Sequence, residues 1–306
     1  MPGIPVLLDG GLATQLEAQG NRLDTVLWSA DLLHLNPGEI VRAHRAYLEA
    51  GSDVLTSASY QGSRAGFNQV GIDSEHADEL LVSSVALARQ AIVEHAQQAG
   101  DDRKRMVAAS IGPYGAVLSD GSEYTGDYGV GSQVLGRFHK PRLALLDGAG
   151  ADYLAVETIP SMPEAAVLAN LLAGCDTPAW VAFSCRDGTS LCDGTPISVA
   201  ASAFRDVAQV FALGINCTAP QHAASLIREI RHAVPDKSVV VYPNSGESYD
   251  ARTGEWHGYA SPDEFVAAAA EWLDEGADYI GGCCRVGPEH IRALRELIDG
   301  RGSRPA

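Results

Sequence analysis

The chain has 306 residues, 46% of them hydrophobic, which is enough to bury a large core. Its 22 basic against 39 acidic side chains leave a net charge of −17, which argues against nucleic acid or an anionic membrane surface as a partner; it reads first as a charge that keeps the protein soluble and only second as a pull on a cationic substrate. No apolar run reaches the roughly 18 residues of a membrane span, and Met1 to Gly11 lacks the basic flank and cleavage site of a secretory leader, so a cytosolic protein with reduced, catalytic or metal-bound cysteines is expected.

Short, β-branched runs alternate with helical patterns. The runs cover 5–10, 53–60, 106–113, 152–159, 179–185, 210–217, 238–245 and 278–284, and are nearly continuous in apolar residues, as strands buried on both faces are. Between them, 39–51 has helical periodicity and stops at Gly51, 163–174 opens with Pro163 and stops at Gly174, and 261–277 opens with Ser261, Pro262 and two carboxylates. A faint repeat, "EAGSDVLTS", "GAGADYLAVE" and "DEGADYIGG", marks three helix-to-strand turns in which glycine takes a left-handed cap. Eight strands, each followed by a helix, predict an α/β chain folded as a single (β/α)8 TIM barrel over residues 1–300, with 301–306 as a disordered tail; a doubly wound open sheet is the alternative. Two long polar segments, 61–74 and 114–131, follow strands two and three on the side where barrels build active sites.

Several polar residues fall at the predicted C-terminal ends of strands: Asp9, Tyr60, Glu157, Cys217, Asn244, Cys283 and Cys284. Cys217 ends strand six and the Cys283–Cys284 pair ends strand eight, so three thiols can meet at one rim of the barrel. Three thiolates suit zinc with a fourth position open to substrate; buried free thiols acting as small hydrophobes are the rival reading. Cys175 and Cys185 fit the rival reading, and Cys192 that of a surface or half-buried thiol. Neighbouring side chains on a strand point to opposite faces, so both members of the pair reach one ion only if the chain bends, which Gly281 and Gly282 permit. A buried Glu157 needs a cation, either a substrate ammonium or a structural arginine. Asp9-Gly10-Gly11 reads on its own as a strand-to-loop turn, Asn244 as a substrate-orienting or backbone-bonding group, and Trp256 and His257 as structural or rim residues.

The segments "LLDGGLATQLEAQG", "LTSASYQGS", "SIGPYGAVLSDGSEYTGDY", "VETIP", "GINC", "VYPNSGESYD" and "GGCCR" together resemble the homocysteine S-methyltransferase family over nearly the whole chain. "GSEYTGDY" and "YPNSGESYD" look most like the members that use S-methylmethionine. The resemblance implies a zinc-dependent barrel with Cys217, Cys283 and Cys284 as metal ligands. It also implies that Asp9 and Glu157 hold the amino group of homocysteine, with backbone near Gly10 and Gly11 around its carboxylate. Betaine-using relatives carry a tyrosine after the strand-four glutamate that closes the site without substrate; here that position is Thr158. The expected reaction is methyl transfer from a sulfonium donor, S-methylmethionine or S-adenosylmethionine, to homocysteine, giving methionine. Tyr60, Tyr114, Glu123, Tyr124 and Tyr128 are candidates to line the donor site, with aromatic faces toward the sulfonium. Betaine or selenocysteine chemistry and a non-catalytic zinc or thiol-binding protein are the alternatives, cobalamin-dependent synthesis is disfavoured, and a monomer is expected.

Overall fold

The computed structural model describes residues 4–23, 27–101, 103–118, 120–250, 255–257 and 261–302. Its strands are β1 (Val6–Leu7), β2 (Val54–Thr56), β3 (Met106–Ile111), β4 (Tyr153–Ile159), β5 (Ala179–Phe183), β6 (Val210–Asn216), β7 (Ser238–Tyr242), β8 (Ser248–Asp250), β9 (Glu255–His257) and β10 (Tyr279–Ile280). Eight of them form one parallel sheet in the order β1-β10-β7-β6-β5-β4-β3-β2. A parallel bridge between Leu8 and Val54 joins the two ends. That closure gives a (β/α)8 TIM barrel and removes the open-sheet alternative.

Leu8, Val54, Trp180, Val240 and Tyr242 fill the barrel interior, alternating with the small Ala108, Ala155, Ala182 and Ala212. The large side chains fit because their neighbours are small, the layered filling such barrels require. The Trp180 Nε1–H donates to the Tyr242 hydroxyl at 3.0 Å, so the buried indole keeps its polar atom paired. Residues on the opposite strand faces pack against the surrounding helices, among them the helix Pro37–Ala50 through Ile40, Tyr47 and Leu48.

The repeat seen in the sequence has a physical basis at the far end of the barrel. Gly51, Gly150 and Gly276 all have positive φ, at 106°, 80° and 97°. The aspartate two residues further on then accepts a hydrogen bond from the first turn of a neighbouring strand. Asp53 bonds the N–H of Leu7, Asp152 that of Val107 and Asp278 that of Val239, at 2.9, 2.8 and 2.8 Å. Each aspartate also meets an arginine: Arg295, Arg89 and Arg231 respectively. The motif is thus a strand-start clamp at the end of the barrel that reads as stability.

Three expectations shift. The helix Met162–Leu172 ends without a left-handed residue, so Gly174 is no C′ cap. The segment expected as loop after strand seven carries the antiparallel pair β8–β9; the side chains of Trp256 and His257 lie outside the described residues. The helix Pro288–Gly302 takes in residues 301 and 302, and 303–306 lie outside the described residues. Among the described residues no helix is long and apolar enough to cross a membrane.

Candidate metal centre and active site

A cavity of about 780 Å³ opens at the C-terminal mouth of the barrel. Asp9, Gly10, Gly11, Tyr60, Glu157, Cys217, Asn244, Cys283 and Cys284 all line it, so every strand-end residue singled out from the sequence reaches one space.

The thiols meet as the strand order requires, with β7 between β6 and β10. Their Sγ atoms lie 2.8 Å (Cys217–Cys283), 3.4 Å (Cys217–Cys284) and 4.0 Å (Cys283–Cys284) apart. Tetrahedral zinc with bonds of about 2.3 Å would space its sulfurs about 3.8 Å apart. Two of the gaps are close to that value, and the third opens by about 1 Å to reach it. All six cysteines are free, and Cys175 and Cys185 are buried in the main core while Cys192 is half-buried.

The neighbouring cysteines share a face because they leave the strand. β10 stops at Ile280, and the chain turns through Cys283–Val286, closed by the Val286 N–H donating to the Cys283 carbonyl at 3.2 Å. Gly281 and Gly282 have ordinary negative-φ backbone; they are glycines because the chain passes too close for a side chain. A Cβ on Gly282 would fall 2.1 Å from Val286 Cγ1, and one on Gly281 2.7 Å from Leu8 Cβ. The unusual backbone belongs instead to Cys217 (φ 46°) and Arg285 (φ 65°). Gly10 and Gly11 are held to glycine the same way: Cβ atoms there would lie 2.4 Å from the Val286 carbonyl oxygen and 2.5 Å from that of Cys283.

Three thiols this close cannot all ionise alone. Mutual hydrogen bonding and burial hold Cys217 well above the ordinary thiol value; for Cys283 the hydrogen bond with Cys217 pulls down, but the one with Cys284 and burial together hold it well above as well. Hydrogen bonds from both hold Cys284 well below it. The cluster therefore carries one thiolate easily and needs a divalent cation to carry three. The donor set, its spacing and this charge demand all fit zinc.

Glu157 stands on β4 at a break in register between Val156 and Ile159, a bulge that re-aims side chains beside a site. It is buried, takes a hydrogen bond from the Ser110 hydroxyl and faces the hydroxyl of Tyr242. Burial pushes its carboxyl up; the charge of Arg142 opposes this. Arg142 is the structural arginine the sequence left open, yet its guanidinium bonds the carbonyls of Gly112, Ser59 and Tyr60, and no ion pair with Glu157 forms among the described residues.

Asp9 is buried beside it and accepts the N–H and hydroxyl of Thr56 at 2.8 and 2.9 Å. Burial pushes its carboxyl up to about 8, the Thr56 bonds pull down, and the charge of Glu157 adds to the rise. A carboxyl whose folded pKa exceeds its unfolded one stabilises fully below the unfolded value and loses that contribution as pH rises through the folded value. The stability advantage of the substrate-free wild type over Asp9→Asn is therefore expected to shrink from about pH 4 to about pH 8. Melting curves of both proteins at stepped pH check this; a constant difference contradicts it.

Sequence reasoning passed over Asn216, Thr56, Ser110 and Tyr242. Asn216 is fully buried: its Oδ1 accepts the Thr158 N–H at 2.6 Å, and its Nδ2 donates to Thr158 Oγ1 at 2.7 Å and lies 3.9 Å from Cys283 Sγ. It holds Thr158 at φ 61°, a costly angle for a β-branched residue. A polar residue closing an apolar run, directly before Cys217, was the available signal.

Of the donor-site candidates, Tyr60, Glu123 and Tyr124 line the cavity. Tyr60 hydrogen-bonds the Thr158 side chain and its phenol is pushed up by burial and then by Cys217, while that of Tyr124 is pushed up first by Cys217 and then by burial. Tyr114 and Tyr128 do not line it; they brace the loop that does. The Tyr128 hydroxyl donates to Glu164 Oε2 at 2.8 Å, while Glu164 Oε1 takes the Tyr114 N–H at 2.6 Å and meets His139 Nε2 at 2.7 Å. Tyr114 packs edge-on against Tyr128 and Phe138. Asn244 lines the cavity with its Oδ1 bonded to the Gly246 N–H at 3.0 Å.

Fold and site together define a barrel enzyme whose mouth binds a metal through three cysteine sulfurs. The sequence profile of the homocysteine S-methyltransferase family matches residues 6–298, and the chain belongs to that family. It is 44% identical over 293 residues to homocysteine S-methyltransferase YbgG of Bacillus subtilis, covering 94% of this chain and 93% of that one. It is 44% identical over 304 residues to homocysteine S-methyltransferase 4 of Zea mays, covering 95% and 89%. The metallated form of the homocysteine methyltransferase MmuM from Escherichia coli superposes with a TM-score of 0.85 at 39% identity, covering 96% of each chain.

Proposed function

We propose that the protein methylates the thiol of homocysteine from a sulfonium donor, S-methylmethionine before S-adenosylmethionine, and releases methionine. The observation that carries this reading is the convergence of three thiols and the Asp9–Glu157 carboxyl pair in one cavity. An amino acid bearing both an ammonium and a thiol spans those two poles.

Cys217, Cys283 and Cys284 would hold zinc, whose charge lets a further thiol ionise at neutral pH and remain nucleophilic. Asp9 and Glu157 receive the substrate ammonium, which restores their ionised state against burial. Gly10 and Gly11 let the backbone approach the carboxylate without a side chain in the way. The homocysteine sulfur then forms a bond to the methyl carbon as the donor sulfur–carbon bond breaks, and the donor leaves as a neutral thioether. A thiolate and a sulfonium become two uncharged thioethers, so a dry cavity that hydrates neither reactant speeds the step. Alignment of the two sulfurs contributes several kcal/mol more, on the order seen for oriented reactants.

The test offers zinc-loaded protein homocysteine with both donors in competition. S-Methylmethionine consumption with methionine as sole product supports the reading; S-adenosylhomocysteine as main product reverses the donor order; no methionine from either donor ends it.

A further inference from the structure

Glu123 is a carboxylate with no cation beside it among the described residues; its own backbone N–H is the one hydrogen-bond donor that acts on it. It sits in the turn Ser122–Tyr124 and lines the cavity with the three cysteines. Its Oε2 is shielded from solvent and has no hydrogen-bond partner, and no ion pair reaches Glu123 among the described residues. The charged groups that act on it most, Asp120 and Cys284, are both negative. The other acids of the cavity have assigned partners: Asp9 and Glu157 bond Thr56 and Ser110 and take the homocysteine ammonium in the reading above, Glu247 meets Arg285 at 2.5 Å, and Glu17 is exposed to solvent. A partly buried carboxylate of this kind is costly unless a cation arrives.

Glu123 is also held firmly in place. The Glu164 bonds to Tyr114 and Tyr128 pin both flanks of its turn. Gly115 lies so close that a Cβ there would fall 2.5 Å from the Glu123 nitrogen and 2.6 Å from the Tyr128 ring. Gly126, at φ 75°, rests on Ser161 just past β4.

We infer that Glu123 binds the ammonium of a sulfonium amino acid, and so selects donors that carry an amino group. This rests on the methyl-transfer reading. Placement at the ammonium, not the sulfonium, follows from how the charges change. The sulfonium loses its charge in the transition state, so a carboxylate beside it would stabilise the ground state more and slow the step. The ammonium keeps its charge throughout, so a carboxylate there strengthens ground state and transition state alike. The sulfonium is better met by an aromatic ring, and Tyr124, next to Glu123 in the chain, lines the same cavity.

Kinetics of Glu123→Gln with two donors test this. The donors are S-methylmethionine and dimethylsulfoniobutyrate, the same skeleton without the ammonium, used as substrate or, failing turnover, as competitive inhibitor. The variant is expected to raise KM for S-methylmethionine by about 10- to 100-fold with little change in kcat, the loss of one charged hydrogen bond. KM for homocysteine and the constant for dimethylsulfoniobutyrate stay where they were, and the melting temperature of the substrate-free protein holds or rises. Equal shifts for both donors, a fall in kcat at constant KM, or a shift confined to homocysteine overturns the inference. A wild type that methylates nothing overturns the reaction itself; an active wild type matched by its variant overturns only the role of Glu123.

Discussion

Cys217→Ala is expected to lose its zinc and its methyl transfer together while the barrel stays folded. Metal affinity should fall by more than the roughly 10- to 100-fold that loss of an outer partner of a metal ligand costs. The reason is geometric. Cys217 lies within 2.8 Å of Cys283 and 3.4 Å of Cys284, so it is the hinge of the triangle; without it the remaining pair stands 4.0 Å apart with two ligands for an ion that needs three. Folding should survive because Cys217 sits past the end of β6, outside both hydrophobic clusters. Metal analysis of purified protein, a methionine assay and circular dichroism check the three parts. An alanine variant that retains full zinc and turnover would falsify the metal-centre assignment.

Glu157→Gln should raise KM for homocysteine by about 10²-fold, the size measured when one partner of a desolvated charge pair is truncated. The glutamine keeps the shape and can still accept from Ser110, so the change isolates the charge. Arg142 forms no ion pair with Glu157 among the described residues; its two terminal nitrogens bond the carbonyls of Gly112, Ser59 and Tyr60 instead. The melting temperature should hold or rise, since a buried carboxylate without its ligand gives way to a neutral amide. Steady-state kinetics with homocysteine varied, alongside a melting curve, separate the outcomes: a lowered melting temperature with unchanged KM would make Glu157 a structural group.

The barrel and its thiol triangle were legible because both follow from order along the chain. Strands six and eight must flank strand seven, and cysteines at their ends must then share a rim. The Asp53, Asp152 and Asp278 repeat was visible too, though its meaning was not: it takes the register of the neighbouring strand to show that each aspartate holds a backbone N–H. What stayed hidden was contact across strands. Asn216 reads as one more polar residue until Thr158 is seen 58 positions away with a strained angle and two bonds to it. Strand lengths were overestimated for a related reason. β2 stops at Thr56, because Ser57 and Ser59 turn to bond each other and the Ser110 backbone. Apolar composition cannot separate strand from the ordered loop that continues it. Tyr114 and Tyr128 looked equal to Tyr124 in sequence, but the Tyr128 hydroxyl is taken by Glu164 and the Tyr114 ring packs on Tyr128 and Phe138, outside the cavity lining.

The seam between β1 and β10 sets the timetable of assembly. Val6 pairs with Tyr279, and the Gly10–Gly11 backbone nests under the turn that carries Cys283 and Cys284. These segments emerge from the ribosome at opposite ends of synthesis, and joining them requires the slow closure of a very large loop. A nascent chain that has made Cys217 still lacks two of its three sulfurs, so zinc capture reports a finished barrel. In refolding experiments the metal signal should therefore trail the far-ultraviolet helical signal; zinc uptake ahead of helix formation would contradict that order.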